Sequence, residues 1–578
     1  MQTIKIPQTL CIHELKKNYQ SNTLTPEAVC KEIIKRAEAD KEFNIWITPP
    51  SMELMQPYLN RLKQMDPEQT PLWGIPFAIK DNIDLAKVST TAGCAEFAYT
   101  PTEHATTVKR LIEAGAIPVG KTNLDQFATG LVGTRSPFGE TNNALNPELI
   151  SGGSSSGSAV SVARGLASFS LGTDTAGSGR VPAALNRLVG FKPSLGAWPV
   201  KGVVPACASI DCVTVFANSF KEALLVDEVV RGIDEEDSWS RPIKRRPNAL
   251  PEKILLLKEE HEFFGPYAAE YRHAWEAAID RIKRLSIPVE YIDGKFLSDA
   301  AATLYDGPWV AERWADLGSF ITSNKEIAFP VTEKVLRNGA NPKYDAASVF
   351  KAIHKLQTYK QKAHQQLTNA VLVMPTTGGT WTRDQVRENP IETNSKMGLY
   401  TNHCNLLDLC AIAVPSDDAA ENLPFGITMF SGNENEHLIS GLAELFLHGV
   451  KSSSNTTTAL VAVCGLHMRG YPLEKQMIEH QAVFVRETKT AAKYKMIKLA
   501  TVPAKPGLIR NHAGTSIELE LWEMPLSEVG SFASLIPSPL GLGKVELEDG
   551  SEVLGFVCEA IAAEGSEDIS YTGGWRYL

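Results

Sequence analysis

This chain lacks the residue patterns from which metal and redox sites are commonly built. Its nine cysteines are scattered over 578 residues. No C-x-x-C pair occurs and no His/Cys cluster has zinc-ligand spacing, so no metal is expected, and the composition suits a reducing compartment. Cys207 and Cys212, the closest pair, read as small buried thiols. No apolar run reaches the roughly 18 residues of a membrane span. The opening MQTIKIPQTLCIHELKK has neither a long apolar stretch nor a small-residue cleavage site, so the expected location is the cytoplasm. Basic residues are not in excess: 57 Lys and Arg against 67 Asp and Glu leave a net charge of −10, which argues against a nucleic-acid surface. A local basic pocket for a small anion is compatible with that balance. Histidine is scarce where it would matter most, because only His104 lies between residues 14 and 260.

What is present describes a globular protein. Apolar residues are 43% and charged residues 21%, and the length calls for one large domain or two unequal ones. In TLTPEAVCKEIIKRAEAD, Thr25 is placed to cap, Pro26 suits the first helical position and Glu27 favours the helix dipole, while Val29, Ile33 and Ile34 recur at helical spacing. GIPFAIKDNI reads as a short buried strand, and TTVKRLIEAGAIPVGKTN as a helix stopped at Gly115 and followed by a strand. This βαβ rhythm predicts parallel pairing under a cover of helices. From 130 to 205 Gly, Ser, Thr and Pro dominate around one small-residue helix running into a strand, a texture of a binding or catalytic surface rather than a linker. Residues 250 to 370 read as helical and charged. The run GVKSSSNTTTALV, residues 449 to 461, marks a boundary, and the four strand-like runs ALVAVCGL, TSIELELWEMP, GKVELEDG and LGFVCEAI beyond it predict a small β-rich domain.

Two Gly/Ser loops carry the chemistry. SGGSSSGS, residues 151 to 158, contains G-x-S-x-G and nominates Ser155 as a nucleophile elbow, but that elbow needs a preceding strand and NNALNPELIS reads as loop. GTDTAGSGR, residues 172 to 180, holds Ser178 among small residues. A serine hydroxyl needs a base. Either a histidine folds back from the distant chain, or Lys80, at the end of an apolar strand, is desolvated enough to act as a neutral amine. Taken alone, Lys80 reads as a surface lysine beside Asp81; the two serine loops favour the base. Arg180 reads as a structural partner of Asp174.

Residues 151 to 196, with PLWGIPFAIKDNID, TNHCNLLDLCAIAVP and PFGITMF, resemble the amidase signature family over about residues 20 to 445. The resemblance implies an α/β fold with a large mixed sheet covered by helices on both faces, and a Ser–cis-Ser–Lys triad: nucleophile Ser178, relay Ser154, base Lys80. Backbone N–H groups of Thr175, Ala176, Gly177 and Ser178 would then form the oxyanion hole. Ala176 and Ser156 stand where the family commonly has glycine.

Further segments resemble the allophanate hydrolases of that family. LYDGPWVAERW carries Tyr305 and Arg313, which with Gly130 would bind a small planar carboxylate; the beyond-458 segments VCGLHMRGYPLEKQ, PAKPGLIR and DISYTGGWRYL resemble the C-terminal domain of that group. The implied organisation is a catalytic domain at 1–450 and a smaller β-rich α+β domain at 459–578. The implied reaction releases ammonia and carbon dioxide from allophanate without a cofactor, through an acyl-enzyme. His467 and Arg469 are candidates for binding or protonating a carboxylated intermediate in the tail, or else are residues of its fold. A homodimer and a separate biotin-dependent urea carboxylase are the expected partners, in urea or s-triazine breakdown. The alternatives are a biuret or aliphatic amidase and an amidotransferase subunit.

Overall fold

The computed structural model describes residues 6–305, 307–448 and 458–578. It separates into two compact units, Met1–Gly449 and Val450–Leu578.

The first unit is built on an eleven-stranded sheet. In chain order its strands are β1 (Trp46–Thr48), β2 (Pro76–Lys80), β3 (Ile117–Thr122), β4 (Phe169–Asp174), β5 (Val189–Lys192), β6 (Cys212–Ala217), β7 (Lys253–Leu257), β8 (Val289–Ile292), β9 (Ala370–Pro375), β10 (Leu409–Pro415) and β11 (Gly426–Gly432). Their spatial order is β1-β3-β2-β4-β6-β5-β10-β11-β9-β7-β8. β2 pairs in parallel with both β3 and β4, and β7 with both β8 and β9. The pairs between β4 and β9 are antiparallel. The parallel pairing read from the βαβ rhythm therefore holds for β3-β2-β4 and for β9-β7-β8, where a crossover helix such as Thr106–Glu113 separates the strands, while the edge strand β1 pairs antiparallel with β3. The centre runs antiparallel, as at the short 416–425 connection between β10 and β11, which is too short for a crossover.

Every residue of β2 through β6 is buried. Strands buried on both faces read as near-continuous apolar runs, as PFAIK and FSLG do, and they require cover on each side of the sheet. Thr25 caps the helix Pro26–Ala39 by accepting the Ala28 N–H at 3.2 Å, with Pro26 in its first turn. The predicted small-residue helix is Ser156–Ala163, running on into β4. The charged middle folds as long helices, among them Trp309–Ser323 and Ala346–Gln366.

The second unit has a five-stranded sheet in the order Val483–Lys489, Glu518–Pro525, Thr458–Val463, Glu552–Cys558, Leu540–Glu546, and a three-stranded sheet of Lys505–Arg510, Tyr494–Leu499 and Glu567–Asp568. The four strand-like runs of the tail sequence all lie in the larger sheet. Its core gathers Val461, Val463, Leu519, Leu521, Phe532 and Val545. Among the described residues no helix is long and apolar enough to cross a membrane.

Candidate active site

Because β2 and β4 are parallel neighbours, their C-terminal ends lie at the same edge of the sheet, which is where open α/β sheets place their ligands. Lys80 ends β2 and is wholly buried. Its ammonium nitrogen Nζ donates to Ser154 Oγ at 2.8 Å and to Thr173 Oγ1 of β4 at 2.7 Å. Burial drives the Lys80 pKa down to about 7, against the pull of Asp125, Asp211 and Asp174, which favour the charged form. The reading of Lys80 as a surface lysine is thereby corrected. Thr173, the second acceptor, went unnoticed in the sequence because a threonine in a strand is ordinary; only the β2–β4 register brings it to Lys80.

Ser154 precedes the helix Ser156–Ala163, and the Gly153–Ser154 peptide is cis. Its carbonyl accepts the Asp125 N–H at 3.0 Å, tying this turn to the loop after β3. The neighbouring Ser155 hydroxyl is engaged twice with β4, donating to the Thr173 carbonyl at 3.1 Å and accepting the Thr173 N–H at 3.3 Å. No strand precedes it, so the nucleophile-elbow geometry is absent here.

Ser178 lies in the turn between β4 and the helix Val181–Leu185, and is 4% exposed. Asp174 organises this turn. Its carboxylate accepts the N–H groups of Gly177 at 2.9 Å and Gly179 at 3.0 Å, and a two-pronged pair from Arg180 Nε and Nη2, both at 2.9 Å. Burial opposes ionisation of Asp174, but the Arg180 guanidinium beside it outweighs burial and holds the carboxyl below its usual range. Arg180 is thus the structural partner of Asp174.

Peptide planarity then sets where the remaining N–H groups point. In a trans peptide the carbonyl and the following N–H face opposite ways. The Gly177 carbonyl accepts from Arg180 and Val181 N–H, so Ser178 N–H is directed away from the helix. The Asp174 carbonyl accepts Asn405 Nδ2 at 2.7 Å, so Thr175 N–H is directed away from Asn405. Among the described residues the N–H groups of Thr175, Ala176 and Ser178 have no acceptor. Gly177 is a correction to the four-donor expectation: its N–H is already committed to Asp174. At φ +132°, with Thr401 Oγ1 at 2.3 Å from any added Cβ, position 177 excludes a side chain.

Arg313, on the helix Trp309–Ser323, is buried and donates through Nη1 to Thr129 Oγ1 at 3.0 Å. This sets Arg313 beside the loop carrying Gly130, whose own added Cβ would fall 2.5 Å from Asp125 Oδ2. Two sequence candidates, separated by more than 180 residues, are therefore brought together. The Tyr305 side chain lies outside the described residues.

In the second unit His467 and Arg469 take different places. His467 stacks on Phe556 at 4.8 Å, hydrogen-bonds Gln476 at 2.9 Å and lines a cavity of about 170 Å³ shared with Lys505. Arg469 is not among that cavity's lining residues; it is held by Glu520 at 3.1 Å and Glu487 at 2.6 Å and lies over the Phe484 ring. Of the two candidates, His467 faces the cavity and Arg469 instead makes ion pairs to carboxylates of the sheet. Among the described residues no group of three or more His, Cys, Asp or Glu is placed to hold a metal ion.

Comparison with known proteins agrees with this architecture. The Amidase family matches residues 28–439, and the allophanate hydrolase C-terminal domain matches residues 459–578. The chain is 38% identical over 571 residues to the urea amidolyase of Saccharomyces cerevisiae, covering 92% of this chain and 31% of that protein, so it spans about a third of that relative's length. It is 38% identical over 547 residues to the urea amidolyase of Lachancea kluyveri, covering 88% of this chain and 30% of the relative. The solved Kluyveromyces lactis allophanate hydrolase superposes with a TM-score of 0.71 at 36% identity, covering 99% of each chain. The chain therefore belongs to the amidase family, with an allophanate hydrolase C-terminal domain following the amidase domain.

Proposed function

We propose that this protein hydrolyses allophanate, with Ser178 as nucleophile, Ser154 as proton relay and Lys80 as base. The observation that carries this reading is the 2.8 Å hydrogen bond from Lys80 to Ser154 at a fully buried strand end, beside the loop that holds Ser178. A buried lysine with a pKa near neutrality is neutral often enough at physiological pH to take a proton. The Ser154 hydroxyl, able to accept and donate at once, passes the Ser178 proton to it. Ser178 Oγ attacks the terminal amide carbon of allophanate, and the negative charge that develops on the carbonyl oxygen meets the Thr175, Ala176 and Ser178 N–H groups. One such donor contributes about 3 kcal/mol to the transition state. The relayed proton leaves with the amine as ammonia, and water releases N-carboxycarbamate from the acyl-enzyme.

Arg313 supplies the planar fork for the substrate carboxylate, with Gly130 and Tyr305 completing the pocket. The domain assignment follows: hydrolysis in residues 1–450, and in residues 459–578 a cavity where His467 and Lys505 receive the carboxylated product, with decarboxylation to carbon dioxide and ammonia. The 170 Å³ cavity lined by those two side chains favours this role for the tail. In this reading the protein is a cytoplasmic homodimer, and its substrate comes from a urea carboxylase.

The test is product analysis with purified protein offered allophanate, biuret and acetamide. Ammonia and carbon dioxide from allophanate are expected. Ammonia from acetamide and none from allophanate would overturn the substrate assignment. Replacement of His467 by Ala in the full chain is expected to delay carbon dioxide while sparing the first ammonia.

A further inference from the structure

Asp211 stands just before β6, at the point where the nucleophile loop, the buried lysine and the buried arginine meet. Its Oδ1 accepts the Thr175 hydroxyl. Its Oδ2 accepts the N–H groups of Ala206 at 2.7 Å and Cys207 at 2.9 Å. Both oxygens are therefore fixed, one on the loop that carries the oxyanion donors and one on the turn that carries Asp211 itself. Asn405 repeats the connection on the backbone: its Nδ2 donates to the Asp174 carbonyl at 2.7 Å and to the Ile210 carbonyl at 2.8 Å. The residues just before Thr175 and just before Asp211 are thus held by the same amide.

The charged groups facing Asp211 are Arg313 and Lys80, and Lys80 in turn faces Asp125 and Asp174. Burial pushes the Asp211 carboxyl up to about 6, with Thr175, the two N–H groups and Arg313 opposing the rise. It is ionised at neutral pH and contributes negative charge at Lys80.

We infer that Asp211 is a positioning residue for the hydrolytic step, anchoring the oxyanion loop through Thr175 and placing an anion in the neighbourhood of Lys80. The inference rests on the assignment of Ser178 and Lys80 above. Preorganised N–H donors act only if they do not reorient as charge develops. The Thr175 hydroxyl is the side-chain handle by which that loop is held. Asparagine at 211 keeps the volume but offers one accepting atom in place of two, so either Thr175 or the 206–207 amides lose a partner. It also removes an anion that favours charged Lys80, so the Lys80 pKa falls and activity persists to lower pH.

The test uses the full chain and a fluorophosphonate probe, which reports Ser178 reactivity whatever the natural substrate. Labelling is followed by intact mass from about pH 5 to 9 and its site by peptide mapping, alongside kcat and KM on the amide that the unaltered enzyme hydrolyses. Thr175→Val is expected to slow labelling and kcat at least about tenfold with the acidic limb in place, and Thr175→Ser to recover to within about threefold. Asp211→Asn is expected to lower kcat and move the acidic limb at least about half a pH unit toward acid. Thr175→Val within twofold of the unaltered rate, or an unmoved limb in folded Asp211→Asn, would overturn the role. Should Asp211→Asn not melt cooperatively, the Val and Ser pair at 175 decides the question from the other end of the hydrogen bond. Labelling at a serine other than Ser178 overturns the site assignment; normal Ser178 labelling with unchanged variants overturns only the role of Asp211.

Discussion

Lys80 donates to Ser154 at 2.8 Å and to Thr173 at 2.7 Å, with no solvent-exposed surface of its own. A lysine so placed has two neutral hydroxyl partners and, among the described residues, no carboxylate in direct contact. Its charge is opposed by burial and favoured only by more distant Asp125, Asp211 and Asp174. That balance is what makes a lysine usable as a base.

The pH dependence follows with a definite sign. Lys80 must be neutral to accept a proton, and its pKa is lowered to about 7. kcat/KM is expected to fall as pH drops below about 7, approaching tenfold per pH unit, in the profile of the free enzyme. A flat profile down to about pH 5 would remove Lys80 from the role of base.

Ser154 and Ser155 are adjacent and differ in what they touch. Ser154→Ala removes the hydroxyl that Lys80 contacts and is expected to cost about 10²–10⁴-fold in kcat. Ser155→Ala removes hydrogen bonds to the Thr173 backbone and is expected to cost less than about tenfold. Steady-state ammonia release from the two variants settles the ranking, and a larger loss at 155 would restore the nucleophile-elbow reading.

Arg180 and Asp174 are both fully buried, so removing one leaves the other uncompensated. Arg180→Met is expected to destabilise the first unit by about 3–5 kcal/mol, seen as a lower urea midpoint. An unchanged midpoint would mean that water or a rearranged neighbour satisfies Asp174.

Arg313→Lys keeps the charge and loses the planar fork. KM for a carboxylate-bearing amide is expected to rise about 10–100-fold, with a smaller change for a neutral amide such as acetamide. Equal effects on both substrates would place Arg313 in the support of Thr129 rather than against the carboxylate.

The sequence alone determined what depends on neighbouring residues. The cap at Thr25, the helix stop at Gly115, the buried PFAIK strand and the strand runs of the tail all follow from local propensity, periodicity and turn chemistry. The family resemblance singled out Lys80, Ser154 and Ser178, and the structure holds Lys80 within hydrogen-bond distance of Ser154. Tertiary structure alone decided the rest. Thr173 reaches Lys80 only through the β2–β4 register, and Asn405, more than 200 residues after Asp174, reaches that carbonyl only because its helical turn, His403–Leu406, packs against the loop that follows β4. The Gly177 N–H is engaged because Asp174 turns back under its own loop, a contact that no spacing rule encodes. The antiparallel centre of the sheet has the same origin, since strand direction is set by how the connections cross the sheet and not by the composition of any one strand.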